Sequence, residues 1–391
     1  MSEWKEVSLS ELGKTITGKT PSSQYPEDFG DEVPFITPSD SFEKKYISRS
    51  ERYLSRLGSD RLKDKIISSD SIMVTCIGSA MGKVAKNSLP SVTNQQINSI
   101  IVNENFDSDY IYYLFKNNYA VFRNAASGST AIPILNKTDF DNLRFKVELN
   151  LNEQRKMVSI LSTIDDKIEI NNQINQELEA MAKTLYDYWF VQFDFPDQNG
   201  KPYKSSGGKM VYHPELKREI PEGWGVEKLS HFLTIKNGKD HKHLQDGKFA
   251  VYGSGGIMRT VADYLYSGES ILFPRKGTLN NVMYVNEKFW TVDTMFYSEV
   301  NKNTSALYVF YSVKDIDFNK LNTGTGVPSM TSSILYDLNI VVPEENILEK
   351  FNTVVKRNYE TIKLNNIQNQ ELTQLRDWLL PMLMNGQVKV E

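Results

Sequence analysis

Residues 153–190 run for 38 positions without a glycine or a proline. Within them Met157, Leu161, Ile164, Ile168, Leu178 and Leu185 recur at a three-then-four spacing, which places them on one stripe of an amphipathic α-helix. So long a stripe needs a partner, and the chain contains one. The run N-N-Q-I-N-Q-E-L at 171–178 returns as N-N-I-Q-N-Q-E-L at 365–372, an offset of 194, inside a second seam. That seam reads Ile347, Phe351, Val354, Asn358, Ile362, Asn365, Asn369, Leu372, Leu379. Two matching seams predict two helices packed as a coiled coil. Each follows a folded segment of its own, so antiparallel, pseudo-twofold pairing is the natural closure. Asn171, Asn175, Asn365 and Asn369 fall on the seams. A buried Asn costs stability but fixes register, because an out-of-register amide would face an apolar side chain. An exposed seam edge is the other reading of these residues, and the sequence leaves both open.

The segments ahead of the helices are also duplicated. W-K-E-V-S-L-S-E-L at 4–12 and G-K-T-P at 18–21 are echoed by W-G-V-E-K-L-S-H-F at 224–232 and G-K at 238–239. The offset is 220 at the module starts and 194 at the helices, so the second module is the shorter by 26 residues. A module-plus-helix repeat is therefore the main architectural expectation. We divide the chain into a first module (1–150), a helix (151–192), a linker (193–221), a second module (222–344) and a second helix (345–385). Apolar runs bounded by turn residues read as strands at 33–37, 71–78 and 97–102, and again at 248–253, 270–274, 281–285 and 294–300. Helical spacing occupies 109–125 and 305–313, with a weaker stretch at 50–65. The fold class is α+β: two mixed modules and two long helices. The Pro-, Gly-, Ser- and Lys-containing stretch 193–224 reads as a connector over the surface, and the residues after Pro381 as a fraying tail.

Composition narrows the class further. A single cysteine, Cys76, excludes a disulfide framework and agrees with a reducing compartment. The start has no basic-then-apolar leader, and no apolar run approaches the ~20 residues of a membrane span, so a cytoplasmic location is expected. The net charge of −4 argues mildly against nucleic acid, but its distribution points the other way. Residues 151–200 carry 4 Lys/Arg against 9 Asp/Glu, whereas 51–100 carry 7 against 4 and 201–250 carry 10 against 6. The acid lies on the helix and the base on the modules.

Several motifs invite a chemical reading. G-K-T-I-T-G-K-T at 13–20 matches a phosphate-loop pattern, but Pro21 follows at once where a helix would have to begin, so we set it aside. The stretch 43–56 interleaves Lys44, Lys45, Tyr46, Arg49, Arg52 and Arg56 with hydroxyl side chains, a mixture suited to phosphates and base edges and equally to a solvated face. Gly-rich loops bring Ser79 and Lys83, Ser129, Lys239 and His241, Arg275, Lys276 and Thr278, and Thr325 into the same candidate group. His241 and His243 lack further partners at metal-ligand spacing, and no metal site is expected. No G-x-S-x-G, H-E-x-x-H or amino-methyltransferase N-P-P-Y run is present, and no catalytic residue is assigned.

Taken together, the duplicated unit, N-Q-Q-I at 94–97, G-S-G-G at 253–256, L-Y-D-Y-W-F at 185–190 and I-P-E-G-W at 220–224 resemble the specificity subunit (HsdS) of type I restriction–modification systems. The resemblance covers essentially the whole chain. It implies two target-recognition domains, each reading half of a bipartite double-stranded DNA site, held apart by two helices that dock two methyltransferase subunits. A restriction/translocase subunit can join that core. The chain itself would hold no cofactor; S-adenosylmethionine would belong to the methyltransferase, and ATP and Mg to the restriction subunit. A 38-residue helix spans about 57 Å, enough to separate modules about one ~34 Å turn of DNA apart. Spacer and docking residues would be Ile164, Ile168, Asn171, Asn175, Leu178, Leu185, Trp189, Asn358, Ile362, Asn365, Asn369, Leu372 and Leu379. A two-module coiled-coil scaffold, or the specificity subunit of a methyltransferase-only or single-chain restriction system, remains the alternative.

Overall fold

The computed structural model describes residues 3–78, 80–126, 133–301, 306–324 and 326–390. The chain divides into two compact units, residues 1–172 with 366–391, and residues 173–365. The division falls inside both long helices, Leu151–Tyr186 and Glu345–Met384, so each unit joins an α+β module to a length of each helix.

In the first unit, strand Trp4–Ser8 pairs antiparallel with Arg144–Glu148, tying the start of the module to its end. One five-stranded sheet runs, in spatial order, Gly13–Thr17, Ile97–Val102, Ile72–Thr75, Val84–Asn87 and Tyr46–Ile47. A second runs Phe29–Gly30, Tyr53–Leu54, Val33–Ile36, Ser91–Thr93 and Ile66–Ile67. The phosphate-loop look-alike is thus largely the strand Gly13–Thr17, paired in register with Ile97–Val102. The helix expected over 109–125 is broken. Ser108–Asn117 ends where the Asn118 side chain donates to the Leu114 carbonyl at 2.8 Å, and Tyr119–Asn124 follows. The weak pattern at 50–65 yields the short helix Arg56–Arg61, started by Ser55, whose hydroxyl accepts from the Gly58 N–H at 3.1 Å, and a 3-10 turn at Lys63–Lys65.

The second unit has one six-stranded sheet in the order Leu233–Asn237, Met295–Val300, Tyr266–Pro274, Met283–Thr291, Asp246–Gly253, Gly256–Val261, with helix Ala306–Lys314 against it. The stretch 193–224 departs from its expectation as a surface connector. Phe193, Phe195, Ile220 and Trp224 are buried, and Phe195 stacks on Tyr203 at 4.7 Å and on Trp224 at 4.8 Å. A hairpin of Met210–His213 and Arg218–Pro221 closes it. Aromatic rings bury large areas each, so a few of them outweigh many Gly, Pro and Lys neighbours. The final residues are not a fraying tail either. The second long helix continues through Pro381 to Met384, and Leu383 and Met384 lie in the core of the first unit. Gly386, at φ +68°, sits so close to the Trp4 ring that an added Cβ would meet it at 2.8 Å.

Within each unit the two helices run antiparallel. In the first, Asn171 Nδ2 donates to Gln368 Oε1 at 2.8 Å and to Asn369 Oδ1 at 2.9 Å, and Arg376 pairs with Asp165 at 2.9 Å. In the second, Asn365 Nδ2 donates to Asn175 Oδ1 at 2.8 Å, and Asn358 Nδ2 to the Leu178 carbonyl at 3.3 Å. The 194-residue offset carries the Asn171–Asn369 bond onto the Asn365–Asn175 bond. Ile164 and Ile362 are buried, while Ile168, Leu178, Leu185, Trp189, Leu372 and Leu379 are half-buried. One seam position shifts: Val355 is fully buried and Val354 is 45% exposed. Phe351, Val355 and Asn358 keep the four-then-three step of a helix face, which explains the shift.

Candidate nucleic-acid interface

The repeat extends to single backbone hydrogen bonds where the strands of each module end in loops. In the first unit the Gly18 N–H donates to the Ile97 carbonyl, Lys19 to Thr93, Asn94 to Ile36, Cys76 to Gln96, Gly78 to Pro133 and Leu135 to Cys76. In the second, Gly238 donates to Met295, Lys239 to Thr291, Val292 to Tyr252, Arg275 to Thr294, Gly277 to Pro328 and Met330 to Arg275. All twelve lie between 2.8 and 3.2 Å. Each module thus gathers four loops: a Gly-Lys turn, the bend at 94–96 or 292–294, the strand end at 76–78 or 275–277, and the segment 133–135 or 328–330. The close approach demands glycine in the first loop. A Cβ on Gly18 would lie 2.2 Å from the Asn94 carbonyl, and one on Gly238 would lie 2.0 Å from that of Val292.

This cluster collects the second-module candidates. Arg275, Lys276, Thr278 and Lys239 are all exposed there. Arg275 lies over the Phe296 ring at 5.9 Å, and Lys276 bridges Ser329 through the backbone. His241 is half-buried, and its Nδ1 has no hydrogen-bond partner among the described residues. Ser79, Ser129 and Thr325 lie outside the described residues. In the first unit the same cluster presents Lys19, Thr20, Gln95 and Gln96, none of which the sequence reading singled out as a DNA contact. Thr20 donates to Gln95 Oε1 at 2.6 Å. The signal for them was in the sequence: G-K at 18–19 repeats at 238–239, and the N-Q-Q-I run stands beside it.

The basic stretch 43–56 is outside these four loops, its Arg52 carbonyl accepting from Phe35 beside Ile36, and it is partly committed to internal bonds. Lys45 is 10% exposed and donates to Asp109 Oδ2 at 2.8 Å and to Ser162 Oγ on the long helix at 3.0 Å. Lys86, 1% exposed, pairs with Asp109 and, at 2.6 Å, with Asp70. Burial by itself would raise the Asp109 carboxyl, but hydrogen bonds and charge from Lys45 and Lys86 prevail and hold it below the usual carboxylate range. Tyr46 donates to Asp70 at 2.9 Å. Lys44 pairs with Glu169 at 3.3 Å and Lys83 with Glu43 at 2.6 Å. Arg52 stacks over Phe29 at 4.2 Å. Arg49 and Arg56 are exposed, and among the described residues their side chains make no ion pair or hydrogen bond.

The site offers binding groups more readily than reactive ones. Burial pushes the Cys76 thiol up to about 12, against hydrogen bonds from Asn98 that lower it, so the thiolate is scarce at neutral pH. Among the described residues no three His, Cys, Asp or Glu side chains gather as a metal site, and no helix is long and apolar enough to cross a membrane.

These features define a class: a duplicated α+β binding module built on two long, antiparallel helices. Residues 1–180 and 221–374 match the family described as type I restriction modification DNA specificity domain. The chain belongs to that family and is a type I restriction–modification specificity subunit. It is 29% identical over 422 residues to the type I restriction enzyme MjaIX specificity subunit of Methanocaldococcus jannaschii, covering 100% of this chain and 94% of that one. It is also 37% identical over 188 residues to the HindI specificity subunit of Haemophilus influenzae, covering 46% of this chain and 40% of that one. The crystal structure of a type I restriction–modification S subunit from M. genitalium shares the fold, with a TM-score of 0.66 at 17% identity, over 98% of this chain and 96% of that one.

Proposed function

We propose that this chain reads a bipartite double-stranded DNA site without carrying out chemistry itself. One half-site falls to the loop cluster at 18–20, 76–78, 94–96 and 133–135, and the other to its counterpart at 238–240, 275–278, 292–294 and 328–330. The observation that carries this reading is the duplicated cluster, which repeats its backbone bonds while its exposed side chains differ. Identical frames with different side chains suit two related but non-identical half-sites. Arg49, Arg52 and Arg56 extend the first reading surface. Lys44 joins them only if its pair with Glu169 opens, and Lys45 acts indirectly by fastening the stretch to the helix.

The long helices set the spacing and dock two methyltransferase subunits. Their lengths, 36 and 40 residues, correspond to about 54 and 60 Å. A groove of about 430 Å³ in the second unit, lined by Met181, Tyr188 and Val354, offers apolar surface for such docking. S-adenosylmethionine belongs to the methyltransferase, which flips an adenine from the duplex, and ATP with Mg to any restriction subunit that joins; the complex works in the cytoplasm.

The test is to co-express the chain with its cognate methyltransferase and map methylated adenines across a genome. A split motif with a fixed gap, one half of which changes when residues 1–145 are exchanged, supports the reading. A stable complex that leaves no motif returns the modules to a scaffold role. A Lys44/Arg49/Arg52 triple alanine variant with unchanged specificity and affinity removes that stretch from the reading surface.

A further inference from the structure

The two loop clusters coincide in five residue types: Gly18/Gly238, Lys19/Lys239, Thr93/Thr291, Gly78/Gly277 and Pro133/Pro328. The two glycine pairs have a structural reason in view, and the Thr and Pro pairs sit inside the frame. Gly18 and Gly238 pack where no Cβ fits, and Gly78 and Gly277 take φ of +79° and +92°. Thr93 and Thr291 are fully buried beneath the first glycine, and Pro133 and Pro328 accept the Gly78 and Gly277 N–H bonds. The lysines have none. Both are exposed, and among the described residues neither ammonium makes an ion pair or a side-chain hydrogen bond. The backbone of each is nonetheless pinned, Lys19 to Thr93 at 2.8 Å and Lys239 to Thr291 at 2.9 Å.

Next to each lysine the exposure pattern repeats while the chemistry changes. Gln95 is exposed and Gln96 half-buried; Asp293 is exposed and Thr294 half-buried. The strand ends carry Cys76-Ile77 in one unit and Arg275-Lys276 in the other. A free cation on a backbone pinned identically in both modules fits what two different half-sites have in common, the sugar–phosphate backbone. The groups that vary beside it fit what differs, the base edges. Gln can take adenine bidentately, Asp accepts from the cytosine amino group, and Arg or Lys can take guanine.

We propose that Lys19 and Lys239 are matched phosphate anchors that set the register of each module on the duplex. Gln95 and Gln96 in one unit, and Asp293, Thr294, Arg275 and Lys276 in the other, are the base-reading positions. This rests on the DNA-reading function proposed above.

The experiment uses the full chain in complex with its methyltransferase and a duplex carrying the methylated motif, with affinity measured across a salt series. Lys19→Ala and Lys239→Ala are each expected to weaken binding and lower the log–log salt slope by about 1, leaving the motif unchanged. Gln95→Ala with Gln96→Ala is expected to relax one half of the motif only. Lys201→Ala, at an exposed lysine outside the clusters, is expected to leave the slope as it was. Unchanged slopes for both anchor variants, an altered motif in either, or an equal drop for Lys201→Ala would overturn the anchor assignment. A parent complex with no salt-dependent DNA binding would instead overturn the DNA-reading function itself.

Discussion

Both units bury apolar side chains between module and long helices, and they differ in the polar and aromatic groups added to that packing. In the first, Asp109 on the helix Ser108–Asn117 gathers Lys45 and Lys86, and Lys45 reaches Ser162 of the long helix. In the second, the helix Ala306–Lys314 places Tyr308 where Tyr110 stands in the first, and a buried Leu307 where the half-buried Asp109 stands. There the junction is richest in aromatic rings, beside an exposed ion pair of Lys183 on the long helix with Asp315 at 2.7 Å. Phe190 packs against Tyr308 at 4.8 Å and Phe351 at 5.1 Å, and Tyr186 stacks on Tyr311 at 5.7 Å. A buried ion pair loses much of its Coulomb gain to desolvation, whereas rings gain from area and packing. The duplicated frame therefore tolerates either solution, and the difference belongs to stability and pH response rather than to fold.

The largest test of this contrast is Phe190→Ala. Truncating a fully packed ring costs about 3–5 kcal/mol, and denaturant unfolding followed by tryptophan fluorescence should show the loss in the second unit. A loss below about 1 kcal/mol would mean the ring cluster does not hold that junction. Next comes Asp109→Ala, which strips Lys86 of one of its two carboxylate partners; breaking a buried pair costs about 3 kcal/mol, with the loss confined to the first unit. The same pair predicts an acid sensitivity. The Asp109 carboxyl is held low in the folded state, so its contribution is present above the ordinary value near ~3.9 and is lost as pH falls through the folded value. Acid should therefore weaken the first unit's junction, and Asp109→Asn should flatten that dependence. An acid dependence of the first unit unchanged in Asp109→Asn would contradict it.

Asn171→Ala should cost more than Asn365→Ala, about 2 against about 1 kcal/mol, because Asn171 is fully buried and donates twice where its counterpart donates once; equal losses in thermal melts would contradict that difference. The smallest effect is expected from Lys44→Ala, under about 1 kcal/mol, since its pair with Glu169 is half-exposed.

Much of the architecture was legible because it rests on local periodicity. Leu161, Ile164 and Phe351 are buried where a 3.6-residue period placed them, and every apolar run read as a strand overlaps one. The breaks came where a minority of residues decided the outcome. Asn118 ends a helix through one side-chain bond, and Phe195 and Trp224 draw a Gly- and Pro-rich stretch into the core. Composition averages over such residues.

The sites were less legible, because the value of a charge depends on what lies opposite it. Lys45 and Lys19 are alike as letters in a basic, hydroxyl-rich context. One is buried against Asp109 and Ser162, and the other stands free above Thr93.

From sequence alone, the duplication, the two helical seams and the family were determined, since repeats and heptad-like spacing are written in order along the chain. Tertiary structure alone decided which asparagines meet across the helices, which lysines are neutralised and which loops converge. Those depend on residues far apart in sequence, such as Lys45 with Ser162 or Cys76 with Leu135, brought together only when the sheets close.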